Sequence, residues 1–158
     1  MIDQIQDSKT RPRNLRSPSC LVHFARNFVV DLANYTPASA EKGYLSAARF
    51  MSPELLSRFE PVAHEQLKQV VTNRVSQFFT VDSYKVERKD PLLIRFLGER
   101  ITYVGRTETE RKAYQYRLTL RYVERTQQNP YGLVVSSVEQ TELSAKRNQK
   151  PTESATAP

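Results

Sequence analysis

The sequence holds one cysteine, two histidines and four glycines, and no apolar run approaching the length of a membrane span. A single thiol, Cys20, cannot close an internal disulfide and has no second thiol for a paired metal motif, which excludes a disulfide scaffold. His23 and His64 fall on helical stretches without HExxH spacing, so the common zinc-hydrolase pattern is missing. The scarce glycines form no P-loop and no G-x-G-x-x-G, and no EF-hand spacing occurs, which leaves nucleotide and calcium binding without support. Apolar runs such as Phe28-Val29-Val30 and Leu92-Leu93-Ile94 fall far short of the roughly 20 residues that cross a bilayer. The opening MIDQIQDSKTRPRNLRSPS lacks the apolar stretch of a signal peptide.

What is present suits one globular domain. Hydrophobic residues make up 39% and charged residues 26% of 158, enough to form a core and too apolar for a disordered chain. The net charge of +7 and a sequence pI near 9.7 admit nucleic acid, anionic lipid or acidic protein as partners. Much of the excess sits at the ends, in Lys9, Arg11, Arg13 and Arg16 and in Lys146, Arg147 and Lys150. Residues 1–18 read as a flexible basic N-terminal segment, 19–143 as a single α+β domain and 144–158 as a disordered C-terminal tail.

The first half is helical by period. Leu21, Phe24, Ala25, Phe28, Leu32 and Tyr35 recur every three or four residues, with Ser17 or Ser19 as the N-cap. Thr36-Pro37 predicts a second start, followed by Tyr44, Ala47, Ala48 and Met51, and Ser52-Pro53-Glu54 a third. The third stripe runs through Leu55, Phe59, Val62, Leu67, Val71, Val75 and Phe78, and Pro61 within it predicts a kink or restart.

After Phe79 the period is expected to fall to 2. Strands are predicted at Val81–Val86, Leu92–Val104 with a bulge or bend at Gly98, Tyr114–Tyr122, and Leu133–Thr141. Asn129-Pro130-Tyr131-Gly132 has the residues of a type I turn. Helices followed by an antiparallel meander give an α+β fold, three helices lying on one face of a curved sheet. Tyr114, Tyr116 and Tyr122 alternate with arginines and are assigned to the buried face, with a ligand cavity as the alternative. That alternation disfavours direct nucleic-acid binding, because a helix-covered aromatic face cannot also stack bases. Ser136-Ser137 reads as strand rather than nucleophile elbow, and Glu108 and Glu110 as loop acids. No catalytic, cofactor or metal residues are assigned.

Four segments in this order carry a resemblance: FVVDLANYTPASAEKGYLSAARFMSPELLSRFEPVAHEQLKQ, VSQFFTVDSYKV, FLGERITYVGRTETERKAYQYRLTL and NPYGLVVSSVEQTE. Together they resemble the TraE subunits of conjugative type IV secretion systems, relatives of the eighth VirB component, over residues 21–143. The resemblance implies a nuclear-transport-factor-two-like fold in the periplasm and a non-enzymatic assembly or scaffold role in the inner-membrane complex. It also implies other secretion subunits, or further copies of the chain, as partners, and a tether to the inner membrane by an N-terminal helix; that helix is missing from the sequence as given, as expected either of a piece cut after it or of an untethered relative. Asn129, Pro130, Tyr131 and Gly132 match the N-P-x-G motif linked in that family to subunit contacts, against a plain structural turn. The alternatives are a nucleic-acid-binding module and a small-molecule-binding or enzymatic domain on the same fold.

Overall fold

Ser17 followed by Pro18 gives the first helix a hydroxyl cap and a first residue with no N–H to satisfy. The Ser17 hydroxyl accepts the Cys20 N–H at 3.4 Å, and α1 runs Pro18–Ala33. The computed structural model describes residues 17–89 and 91–143, so the basic run 9–16 and the tail 144–158 lie outside the described residues. α1 buries Leu21, Val22, Phe24, Ala25, Phe28 and Val29, a stripe wider than the predicted one. Tyr35 falls beyond its end. Asn34 caps the helix, accepts the Phe79 N–H at 3.0 Å and donates to the Phe79 carbonyl at 3.4 Å, behaving as one extra strand residue.

The second helix starts later than Pro37. Thr36 supplies the turn ahead of it, its carbonyl accepting the Ala40 N–H at 2.9 Å and its hydroxyl the Ser39 N–H at 3.2 Å, and α2 runs Ala40–Ala48. Met51 lies outside α2 and is bridged to Val135. The buried Ser52 hydroxyl accepts the Leu55 N–H at 3.1 Å and opens α3, Pro53–Asn73.

α3 runs unbroken through Pro61, so the expected restart is absent. Pro61 and Ser57, whose carbonyl loses its partner, lie on the exposed side, where that carbonyl is open to solvent and the lost bond costs less than in the core. The inward stripe is Leu55, Phe59, Ala63, Leu67 and Val70, while Val62 and Val71 are exposed.

The helix-to-strand junction falls at Arg74, ahead of the predicted Phe79. Arg74 takes a left-handed conformation (φ 56°) as the C-cap, and β1 covers Val75–Lys89. Gln77, Phe79 and Val81 point inward, and a polar residue at the first of these positions hides the alternation. Gln77 is 9% exposed; its amide donates to the Ala33 carbonyl at 2.8 Å and accepts from the Tyr35 hydroxyl at 3.3 Å. Backbone bonds between Tyr35 and Gln77 (2.9 and 2.8 Å) complete the clasp between the end of α1 and the sheet.

β2 (Leu92–Val104), β3 (Thr107–Tyr122) and β4 (Leu133–Glu142) follow in an open antiparallel sheet of order β1-β2-β3-β4. β3 begins well before Tyr114, which places Glu108 and Glu110 on the strand. Extra residues at Asp82 and Glu87 in β1, Thr109 in β3 and Ser136 in β4 shift the register; such bulges bend and twist a sheet. Gly98 itself pairs regularly with Val81 and Tyr114, the bulge expected there sitting across from it at Asp82.

The core lies between α1 and the inner sheet face, where Ile94, Phe96, Leu118, Leu120, Leu133 and Val135 meet Phe24, Phe28 and Val29. Tyr116 is 2% exposed and its ring lies 4.7 Å from that of Phe79. Tyr122 is 48% exposed, so the inward-facing tyrosines are buried only where helices cover them.

Candidate interaction site

The Asn129–Gly132 segment closes as the sequence predicts, with the Gly132 N–H donating to the Asn129 carbonyl at 3.2 Å. The Asn129 side chain reinforces it twice, accepting the Gly132 N–H at 3.2 Å and donating to the Leu133 carbonyl at 2.7 Å. Gly132 has φ 67°, a region that costs a residue with a Cβ about 1–2 kcal/mol. Gly132→Ala is therefore expected to lower unfolding free energy by about 1–2 kcal/mol in urea titration while the native fold persists.

Tyr131 connects this turn to the helices. Its ring lies 5.2 Å from that of Phe24, which meets Phe50 edge-on at 5.3 Å. These rings, with Phe28, Val30, Asp31 and Arg49, line a groove of about 350 Å³. The Arg49 guanidinium sits 5.0 Å above the Phe50 ring. Burial raises the Asp31 carboxyl above its usual range, and Arg49 partly offsets the shift. The groove joins an aromatic floor to one cation and one acid, a surface suited to a polypeptide side chain.

A second concavity, about 460 Å³, opens at the other end of the sheet beneath Leu32, Tyr35 and Phe59. Arg100 is part of its lining. It donates to the Tyr114 hydroxyl at 2.6 Å and to Gln140 at 3.1 Å, stacks 3.5 Å from the Tyr114 ring and has Glu110 at 4.0 Å. Lys112 bridges Glu110 and Glu142 at 3.0 and 3.3 Å. Burial raises the Tyr35 and Tyr116 phenols, with Arg100 opposing the shift in both. Tyr114 and Tyr116 thus both pack against the core and line this cavity. The signal for Arg100 was in the alternation: extending Ile94, Phe96 and Gly98 by two residues puts a charge on the inner face.

The remaining sequence candidates do not converge. His23 and His64 are exposed on α1 and α3, and the Ser136 hydroxyl donates to the Thr119 carbonyl at 3.3 Å. Among the described residues no cluster of three His, Cys, Asp or Glu side chains could hold a metal, and no helix is long and apolar enough to cross a membrane.

The protein family described as "TraE protein" matches residues 13–126. Among solved structures, the soluble domain of TrwG from the type IV secretion machinery of Bartonella grahamii superposes with a TM-score of 0.67 at 13% identity, over 80% of this chain and 95% of that one. VirB8 of Agrobacterium tumefaciens gives 0.66 at 14%, over 77% and 90%. A TraE protein in complex with 2-(2-furyl)isonicotinic acid gives 0.66 at 12%, over 80% and 97%. These likenesses establish a shared fold. Among curated protein sequences none matches.

Proposed function

Since the chain belongs to the TraE protein family, we propose that it is a non-enzymatic assembly subunit of a conjugative type IV secretion system. In this reading it acts through protein contacts of a periplasmic domain held at the inner membrane. The family match, together with a fold shared with secretion-system domains such as TrwG and VirB8, is the observation that carries it. An N-terminal membrane helix as the tether and self-association as a second contact are parts of the same proposal.

The contact surface is the Asn129–Gly132 turn together with the groove beside it. Three features support this: the turn is fixed by its own side-chain bonds, it presents Tyr131 beside an aromatic groove, and both flanking elements are anchored in the core. A preorganised aromatic beside a partly filled groove is the kind of anchor on which interfaces concentrate binding energy.

A photo-reactive aromatic placed at Tyr131 is expected to give adducts with other secretion subunits in cells transferring DNA. The same probe at Val62, exposed on α3, should give none. Transfer at the wild-type level by a folded Tyr131→Ala variant, with no adduct at 131, would remove the turn from the contact surface.

A further inference from the structure

One edge of the sheet projects beyond the helical layer. The last eight residues of β1, Asp82–Lys89, are exposed on both faces of the strand. Tyr84 (52% exposed) and Val86 (36%) lie on its inner side, across from Phe96 and Ile94. Lys85 and Arg88 lie on its outer side, Lys85 heading a row that continues through Arg95 and Arg117. Glu87 faces Arg95 at 3.7 Å and Arg117 at 3.1 Å, and Glu139 faces Arg117 at 3.4 Å. Among the described residues Lys85, Arg88 and Lys89 have no carboxylate within ion-pair distance, and Asp82 is the other acid on the exposed strand.

The chain enters the domain at this same end. Phe24, in the first half of α1, packs on Tyr131, next to the start of β4. Leu133 there pairs with Tyr122, Leu120 with Leu92, and Leu92 with Lys89. The residues leading into α1 carry Lys9, Arg11, Arg13 and Arg16 with no acid after Asp7.

We propose that this exposed end of β1, continued by the Lys85–Arg95–Arg117 row, is a contact surface for a bilayer containing anionic phospholipid. The cations would lie at the phosphates, with Tyr84 and Val86 at the headgroup boundary. Tyrosine favours that boundary, and each nearby Lys or Arg adds to attraction by an anionic leaflet. A further β-strand is a poor occupant, because the bulges at Asp82 and Glu87 interrupt the ladder an added strand needs. Nucleic acid fits less well too: within Asp82–Lys89 the exposed ring, Tyr84, points away from the Lys85 and Arg88 side, so one strand of bases cannot be stacked and neutralised together there. A bilayer boundary surrounds a ribbon inserted edge-on and meets both faces at once. This inference is independent of the subunit-contact reading, since vesicle binding is read on the isolated chain.

The test is co-sedimentation of the full chain with vesicles of phosphatidylcholine alone or with about one third phosphatidylglycerol, at low and high salt. Binding is expected only with phosphatidylglycerol and should weaken with salt. Lys85→Glu/Arg88→Glu/Lys89→Glu should lower partitioning more than about tenfold. Charge reversal at Lys42 and Lys68 on the helices should leave it unchanged. The sequence has no tryptophan, so Tyr84→Trp introduces a single indole, whose emission should shift to the blue on anionic vesicles. An unshifted Tyr84→Trp spectrum overturns the proposal, as does wild-type binding by the triple variant, including the case in which only reversal of Lys9, Arg11, Arg13 and Arg16 abolishes it. Salt-sensitive binding of single-stranded DNA that needs the same residues, with no vesicle binding, overturns it in favour of a nucleic-acid surface.

Discussion

Gly98→Ala is expected to cost the domain at least about 3 kcal/mol of stability, read as a lower urea midpoint and a fall of about 10 °C in melting temperature. Gly98 lies in the middle of β2, where a Cβ would overlap the carbonyl oxygen of Thr80 and come within 3.0 Å of the Phe79 ring. The obstacle is mainly backbone of the neighbouring strand, so no side-chain rotation relieves it, and either the β1–β2 ladder opens or the bulge at Asp82 moves. Gly105 is the control: its φ of 63° carries a conformational cost, but a Cβ there meets nothing within 4 Å. Gly105→Ala should therefore lose only about 1 kcal/mol. Equal losses in the two variants would mean that β1 and β2 do not approach each other this closely.

Leu118→Ala is expected to cost about 2–5 kcal/mol, and Tyr116→Ala about 3–5 kcal/mol. Leu118 is fully buried on β3 between Ile94 of β2 and Val138 of β4, so its removal leaves a cavity that three paired strands cannot easily close. Tyr116 adds a ring contact to Phe79. Tyr122→Ala, on the same strand and the same face but 48% exposed, should lose less than about 1 kcal/mol. Comparable melting of all three variants would contradict the inward assignment of this face.

The order of elements, the antiparallel meander, the capped start at Ser52 and, as one of two candidate serines, that at Ser17 were legible in the chain, because each depends on local chemistry. A serine hydroxyl before a proline caps its helix at both places, whereas Thr36-Pro37 forms only the turn ahead of α2, and β3 alternates because one of its faces is wet. The Asn129–Gly132 turn was legible for the same reason: the bonds by which Asn129 closes it reach only Gly132 and Leu133. Val62 and Val71 were misassigned because an amphipathic stripe fixes a direction only to within a residue, and the tertiary contacts of Ala63 and Val70 chose the neighbouring angle. Gln77 masked the start of β1, since an amide at a core position looks like solvent until Ala33 and Tyr35 are seen to satisfy it.

The sequence by itself determined where this chain changes from a helical to an extended backbone, to within a few residues, and which side of its best strand is dry. Hydrophobic period and capping are short-range and need no partner to be read. Only the tertiary structure decided that Gly98 is needed for the passage of Thr80, that Arg100 sits in the concavity with Tyr114, and that Tyr131 stands beside Phe24 from the first helix. Each of these joins residues from about 14 to more than 100 positions apart in the chain, and which of them meet is set by how the sheet bends and how α1 lies across it.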